Sequence, residues 1–258
     1  GLCGNKPLSD YTRQDALQFR DWLVARGLTG SSITRNFSYL KAVINFALSE
    51  YALDVRNPFV GVYHDRSAGV LVRKPVPITD IRKVQSECRA IDDDMRWLIA
   101  LISDTGMRLA EGAGLLNQDF IGLGTDLPYV SVTKNPWRNL KTASSERKIP
   151  LVGEALWAAR RIVETENGSD FAFPRYNRRS TTAANSASAA LNKWLKQYVP
   201  VECTMHSFRH SMRDRLRAVQ CPSDITDQIG GWTTDGVGQG YGSGYPMSVL
   251  QEWLEKAK

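Results

Sequence analysis

Residues 105–115 of the chain, TGMRLAEGAGL, contain a local pattern that a helix explains. We expect that helix over residues 107–116, beginning just after Thr105-Gly106. Arg108 and Glu111 lie three residues apart in its first turn, so their side chains share one face and can pair. Exposed pairs of this kind are common and contribute little to stability. The pair by itself therefore indicates no function.

The chain after residue 78 reads mainly as helices. We predict them over residues 79–90, 93–105, 107–116, 153–166, 183–198, 206–219, 223–229 and 247–257. Residues 128–133, PYVSVT, and 147–151, RKIPL, carry β-branched residues and are separated by a polar segment. They read as strands joined by a loop or irregular hairpin. The expected fold class is mainly α with a small β-sheet, an α+β arrangement.

The first 60 residues also read as helices. Thr12 and Asp15 resemble a capping box at the start of one of them. A second helix is indicated by apolar residues at helical spacing, namely Ile33, Phe37, Leu40, Ile44, Ala47 and Tyr51. Residues 61–77 carry glycine, proline and charge without an apolar period, as a linker does. We therefore predict a helical domain over residues 1–72 and a second domain over residues 73–258.

The composition narrows the class of protein. The 258 residues are 42% hydrophobic and 23% charged, which excludes a collagen-like or bulk-disordered chain. No apolar run is long enough for a membrane helix, and the first 25 residues lack the order of a signal peptide. From these two features we expect a cytoplasmic protein. The four cysteines are scattered, so we expect reduced thiols and no zinc site. A net charge of +6 is compatible with a nucleic-acid partner but does not require one.

Several other residues gain meaning only in combination. A loop lysine is usually solvated, a His-x-x-Arg pair often caps a helix, a tryptophan is often core and a tyrosine is often a loop residue. The residues concerned are Lys141 in NLKTASSERKIPL, His206 and Arg209 in HSFRH, Trp232 in IGGW, and Tyr241 in a glycine-rich segment. Together with Arg108 they follow the order R, K, HxxR, W, Y.

In this order the sequence resembles the tyrosine site-specific recombinases, the phage integrase family. Arg209 and Trp232 are 23 residues apart, the separation expected between the second arginine and the following His/Trp position of that family. The resemblance implies that residues 1–72 form a helical core-binding domain and residues 73–258 the catalytic domain. Two positions depart from the pattern. Trp232 stands where histidine is usual, and Gly112 stands where an apolar residue is usual and is expected to loosen its helix.

The resemblance also implies how the residues divide the chemistry of phosphodiester cleavage. Arg108 and Arg209 would hold the phosphate, because planar guanidinium groups suit bidentate contact with it. Tyr241 would attack the phosphorus, form a 3′-phosphotyrosyl link and release a 5′ hydroxyl. Tyr245 is the rival nucleophile. His206 would help to deprotonate the phenol, whose pKa is ordinarily near 10.

The remaining site residues have supporting roles in this scheme. Lys141 would protonate the leaving 5′ oxygen. Trp232 would donate its indole N–H to a phosphate oxygen. Glu111 would hold Arg108 or the lysine loop in place. We expect no metal and no cofactor, because the two arginines supply the positive charge.

Other basic residues are candidates for DNA contact. Arg175, Arg178 and Arg179 in FPRYNRRS are expected to bind the DNA backbone. Arg213, Arg215 and Arg217 alternate along a predicted helix and cannot all face one way, so we interpret them as a solvated face.

The expected partner is double-stranded DNA, bound by a homo-oligomer, a tetramer, that exchanges strands between two duplexes. A DNA-bending accessory protein and an amino-terminal arm-binding module are left open. A topoisomerase-like monomer that nicks and reseals DNA and a catalytically silent DNA-binding or excision accessory protein are the alternatives. Residues 247–257 form an amphipathic helix that packs either on its own domain or on a neighbouring subunit.

Overall fold

The computed structural model describes residues 2–165, 168–178, 180–233 and 244–258. The chain divides into two compact units, Gly1–Val72 and Arg73–Lys258. The functions that we assign to these units stay predictions.

Two helices form most of the first unit. They are α1 (Arg13–Ala25) and α2 (Gly30–Glu50). The predicted capping box is confirmed, since Thr12 Oγ1 accepts from the Asp15 N–H and Asp15 Oδ2 accepts from the Thr12 N–H. The core of this unit consists of Ala16, Leu23, Ile33, Phe37, Ile44 and Phe59. The apolar repeat of α2 therefore marks the face that packs against α1.

The second unit is mainly helical, with two small antiparallel sheets, so the predicted fold class is confirmed. Its helices are α3 (Ile78–Ile91), α4 (Asp94–Thr105), α5 (Leu109–Ala113), α6 (Gly153–Glu164), α7 (Ala184–Leu195), α8 (Ser207–Ala218), α9 (Ser223–Gly230) and α10 (Met247–Ala257). Its strands are β1 (Phe120–Ile121), β2 (Tyr129–Val132), β3 (Arg147–Pro150), β4 (Asn177–Arg178) and β5 (Thr181–Thr182).

The predicted hairpin is the centre of the larger sheet. β2 and β3 pair antiparallel, with Val130 opposite Ile149, and β1 adds a third strand beside β2. β1 and the β4–β5 pair are not among the strands predicted from the sequence. Each of those strands has only two residues, too few to show an alternating pattern.

Helix α4 lies at the centre of the second unit and packs against α3, α6 and α8. Its residues from Trp97 to Thr105 are all buried. Among them Asp104 accepts a hydrogen bond from Arg215 at 2.9 Å. Arg215 also donates to the carbonyl of Ala257 at 2.6 Å, so it joins α8 to the last turn of α10. The interpretation of Arg213, Arg215 and Arg217 as a solvated face is therefore wrong for Arg215.

The carboxy-terminal helix packs on its own unit in this structure. Leu250, Leu254 and Ala257 are buried, and α10 contacts α8 and β3. The apolar stripe predicted for this helix is thus part of the core of the second unit.

The cysteines and the lengths of the helices bear on the expected thiol state and on membrane insertion. All four cysteines are free, and Cys88, Cys203 and Cys221 are buried. Burial raises the pKa of each of these three thiols, which keeps them protonated. Within the described ranges, no helix has the length and apolar character needed to cross a membrane.

Candidate active site

Arg108 and Glu111 pair at the start of α5. Gly106 ends α4 with a φ of +62°, and Arg108 caps the next helix. Oε2 of Glu111 accepts from the Arg108 backbone N–H at 2.9 Å, and Oε1 accepts from Arg108 Nη1 at 2.6 Å. The Glu111 side chain is 4% exposed and that of Arg108 22%. The pair is therefore not a solvated surface pair, and part of Arg108 stays accessible.

Glu111 also binds a second arginine, which is not among the site residues predicted from the sequence. Arg147, the first residue of β3, donates from Nη2 to Glu111 Oε2 at 3.0 Å. Burial by itself raises the pKa of Glu111, but the charge of Arg147 and the hydrogen bonds from Arg108 and Arg147 outweigh it and lower the pKa. Glu111 is thus an ionised carboxylate that holds two arginines. In the sequence, Arg147 is marked only as a charged residue at the start of a strand.

Gly112 has a packing role that differs from the expected loosening of its helix. It is buried, and a Cβ at this position would lie 3.1 Å from both Leu98 Cδ1 and Met107 Sδ. A side chain would therefore be crowded by Leu98 of α4 and by Met107. Glycine lets the two helices approach closely and fixes the position of Arg108 between them.

Arg209 on α8 is the second predicted arginine of the site, and it is 3% exposed. Its Nη1 donates to the carbonyl of Gly106 at 3.0 Å. Its buried Nη2 has no hydrogen-bond partner among the residues that the structure describes. Burial and the charges of Arg108 and Arg147 lower the pKa of Arg209 to about 9. A buried cation with an unpaired donor favours the binding of an anion.

Trp232 covers Arg209. The central guanidinium carbon of Arg209 lies 4.2 Å from the centre of the Trp232 ring, and that of Arg213 lies 4.9 Å from it. The two glycines of IGGW permit this arrangement. A Cβ on Gly230 would overlap the tryptophan ring, and Gly231 has a φ of +63° where the chain passes Arg147.

His206 is the residue just before α8 and is partly buried. Burial is the main cause that lowers its pKa to about 4, followed by the charges of His210, Arg73, Arg209 and Arg108. The ring is therefore neutral at neutral pH and has a free nitrogen lone pair that can accept a proton.

Lys141 lies in the long connection between β2 and β3, as predicted, and is exposed. In the described part of the chain it forms no hydrogen bond and no ion pair. The connection nevertheless reaches the site, because Ser145 Oγ accepts from Arg108 Nη1 at 2.9 Å. The structure thus brings the loop to Arg108 but does not place the lysine side chain on the other site residues.

Of the two candidate nucleophiles, Tyr241 and Tyr245, the structure describes only Tyr245. Tyr241 lies outside the described residues. Tyr245 is 40% exposed, and its hydroxyl hydrogen-bonds Asp224. That hydrogen bond is the main cause that raises the pKa of Tyr245. A raised pKa makes the phenolate harder to form.

The sequence model described as the phage integrase family matches residues 79–244, more than half of the chain. The chain belongs to the phage integrase family. The resemblance inferred from the order of Arg108, Lys141, His206, Arg209, Trp232 and Tyr241 is therefore confirmed at the level of the family. No curated protein matches the chain.

Solved structures show the same fold in other integrases. The Tn1549 transposon integrase in complex with a circular intermediate DNA has a TM-score of 0.67 at 19% identity, over 97% of this chain and 83% of that one. A lambda integrase dimer bound to a COC′ core site has a TM-score of 0.60 at 15% identity, over 98% of this chain and 83% of that one. A lambda integrase tetramer bound to a Holliday junction has a TM-score of 0.59 at 16% identity, over 93% of this chain and 68% of that one.

The basic segment predicted to contact DNA lies around β4 of this chain. Arg175 is exposed and pairs with Asp94 at 3.1 Å. Arg178 is exposed in β4, and Arg179 lies outside the described residues. Exposure of Arg175 and Arg178 is compatible with contact to a polyanion, and their role stays a prediction.

Proposed function

We propose that this chain is a site-specific recombinase that cuts and rejoins double-stranded DNA through a 3′-phosphotyrosyl intermediate on Tyr241. The observation that carries the proposal is Arg209, a buried guanidinium with an unpaired Nη2 beside Arg108. A scissile phosphate would supply the missing acceptor. Two arginine forks on its non-bridging oxygens would stabilise the charge that develops in the transition state.

Two proton transfers complete the reaction. The Tyr241 oxygen forms a bond to phosphorus while the bond from phosphorus to the 5′ oxygen breaks. Neutral His206 takes the phenol proton, and Lys141 gives a proton to the leaving 5′ oxygen. Trp232 packs on Arg209 and offers its indole N–H to the phosphate. Rejoining runs the same steps in reverse, so the cycle needs no external energy source.

Positive charge from the two arginines takes the place that a metal ion has in many phosphoryl-transfer enzymes. We therefore propose a reaction that requires neither metal nor cofactor. Cleavage in the presence of excess EDTA, with added magnesium as the comparison, tests this part. Loss of cleavage in EDTA would overturn it.

The assembly is proposed from the partners of related proteins. The Tn1549 and lambda integrases compared above are bound to DNA, as a dimer and as a tetramer in the lambda examples. We propose that this chain likewise works as a tetramer on two duplexes. The helical unit over residues 1–72 and the segment with Arg175, Arg178 and Arg179 would contact the DNA backbone.

Covalent trapping tests the proposed function. The purified chain is incubated with a library of nicked duplexes, in which a short strand diffuses away after cleavage and prevents rejoining. We expect a denaturation-resistant protein–DNA adduct, a free 5′ hydroxyl, and a linked peptide that contains Tyr241. Binding without any adduct would favour a silent accessory protein. Adducts and relaxation of supercoils without synapsis of two labelled duplexes would favour a topoisomerase-like monomer.

A further inference from the structure

Two buried arginines stand on either side of Lys141 in the sequence. Arg138 is 2% exposed and Arg147 is 8% exposed, whereas Lys141 between them is exposed. Burial of a guanidinium is costly unless hydrogen bonds and opposite charge compensate. The partners of the two arginines therefore show what their burial accomplishes.

Arg138 binds the carboxy-terminal end of α5. Its Nη1 donates to the carbonyls of Glu111 at 3.3 Å and Gly114 at 3.0 Å. Glu111 lies in the last turn of α5 and Gly114 directly follows the helix, where carbonyls lack partners within the helix and attract cations. Nε and Nη2 of Arg138 donate to the carbonyl of Thr133, at the start of the same connection. Nη2 also lies 3.5 Å from the buried carboxylate of Asp119, which supplies the opposite charge. Arg138 thus joins the start of the connection, at Thr133, to the end of α5 and to Asp119.

Arg147, at the other end of the β2–β3 connection, attaches that end to the site. Its Nη2 donates to the Glu111 carboxylate at 3.0 Å, and its Nη1 to the carbonyl of Ser145 at 2.7 Å. Its Nε donates to the carbonyl of Ile229 at 2.9 Å. Arg147 therefore links the loop both to Glu111 and to the end of α9 that precedes Trp232.

Both anchors converge on the same glutamate, which also holds Arg108. Arg138 takes the backbone carbonyl of Glu111 and Arg147 takes its carboxylate. We propose that Arg138 is a positioning residue, which places the Lys141 loop for protonation of the leaving 5′ oxygen, and that Arg147 positions the loop and Arg108 together.

This inference rests on the proposed role of Lys141 as the proton donor. A purely structural role for Arg138 would slow cleavage whatever the leaving group is. If Arg138 only positions the Lys141 loop, its substitution should slow cleavage only when the leaving group needs the proton from the lysine. A 5′-bridging sulfur separates the two cases, since a thiolate leaves readily without a proton.

The experiment compares single-turnover cleavage of matched duplexes with a 5′-bridging oxygen or sulfur, on a sequence obtained by covalent trapping. Arg138→Lys keeps the positive charge. It loses the branched guanidinium group, which contacts the Thr133 carbonyl and the end of α5 at the same time. We expect it to slow cleavage of the oxygen substrate by about tenfold or more, in keeping with the cost of a misplaced catalytic group. With the sulfur substrate it should cleave at nearly the parent rate, as Lys141→Ala should.

Arg147→Lys should stay slow on both substrates, because it also disturbs Glu111 and Arg108. Arg217→Lys is the matched control, since Arg217 is exposed and pairs only with Asp214 among the described residues, and it should change neither rate. Arg138→Gln serves as a second variant if Arg138→Lys unfolds, as judged by thermal melting.

The outcomes separate this inference from the function on which it rests. Equal slowing of the Arg138 variants on both substrates, with Lys141→Ala rescued by sulfur, would overturn the positioning role alone. Failure of sulfur to rescue Lys141→Ala would remove the lysine from proton donation, and the positioning role with it.

Discussion

The hydroxyl of Tyr245 donates a 2.5 Å hydrogen bond to Asp224 at the start of α9. The backbone of Tyr245 is held as well, because its N–H donates to Gln228 Oε1 at 2.8 Å and its carbonyl accepts from Gln228 Nε2 at 3.1 Å. Three hydrogen bonds thus fasten this tyrosine to α9. A nucleophile needs the opposite environment, with positive charge that lowers the pKa of its phenol.

Tyr245→Phe should therefore leave covalent cleavage intact, whereas Tyr241→Phe should abolish it. Tyr241→Phe removes the attacking oxygen and few contacts with the DNA backbone, so its affinity for DNA should change little. Adduct yield on a nicked duplex and binding by gel shift measure the two properties. A normal adduct from Tyr241→Phe, mapped to Tyr245, would reverse the assignment.

Arg108→Ala and Arg209→Ala should each slow cleavage by roughly 10² or more, as the loss of one oxyanion donor does in other enzymes. Arg217→Ala removes an exposed arginine of the same unit and is the control for the change in charge. Single-turnover rates at saturating protein give the comparison. A rate close to that of the parent protein would remove the substituted arginine from the site.

The patterns that predicted the site are local in the sequence. Arg108 lies just before α5 and Glu111 in its first turn, and His206 lies just before α8 and Arg209 in its first turn, so each pair is joined by a spacing of three residues at a helix start. The β2–β3 hairpin and most helices were likewise predicted from periodicity and composition. The fold class could therefore be read without knowledge of any long-range contact.

Long-range partners explain what the sequence did not reveal. Arg147 and Arg215 look like exposed charges in the sequence, because nothing near them shows that Glu111 or Asp104 will be buried beside them. The packing of Gly112 against Leu98 is of the same kind. Such contacts join residues far apart in the chain and depend on the completed tertiary structure.

Gly112→Ala should destabilise the second unit even though alanine favours helices. The new Cβ would meet Leu98 and Met107 at 3.1 Å, and overpacking of a core typically costs about 1–3 kcal/mol. Gly124→Ala is the matched control, since nothing lies within 4 Å of its Cβ position. Urea unfolding should show a lower free energy of unfolding for Gly112→Ala only. Equal stability of both variants would contradict the close packing of α5 on α4.

His206 should titrate near pH 4 in the protein without DNA, below the ordinary histidine value of about 6.5. Because the pKa is lower in the folded state, the unfolded state binds more protons between these two values. The part of the stability that depends on His206 is therefore complete above about pH 6.5 and is lost as the pH falls toward 4. NMR titration of the histidine rings gives the midpoint directly.

The companion measurement is the free energy of unfolding against pH. His206→Gln should remove part of the decline between pH 6.5 and 4 that the parent protein shows. His64→Gln is the control, because His64 lies in the first unit and its substitution removes a histidine outside the site. A midpoint for His206 above 6.5 would mean that burial and the neighbouring positive charges do not lower the pKa of the ring, and would contradict a ring that is neutral throughout the neutral pH range.

The carboxy-terminal helix provides the last test. Leu254 is 1% exposed, and Arg215 holds the last turn of α10 through the carbonyl of Ala257. Leu254→Ala should lower the free energy of unfolding of the protein without DNA by about 2–5 kcal/mol. Ser248→Ala, at an exposed position of the same helix, should not. Deletion of residues 247–258 should reduce the yield of folded monomer for the same reason. If Leu254→Ala instead left the monomer as stable as the parent protein and weakened only higher-order complexes on DNA, α10 would have to dock on a neighbouring subunit in solution.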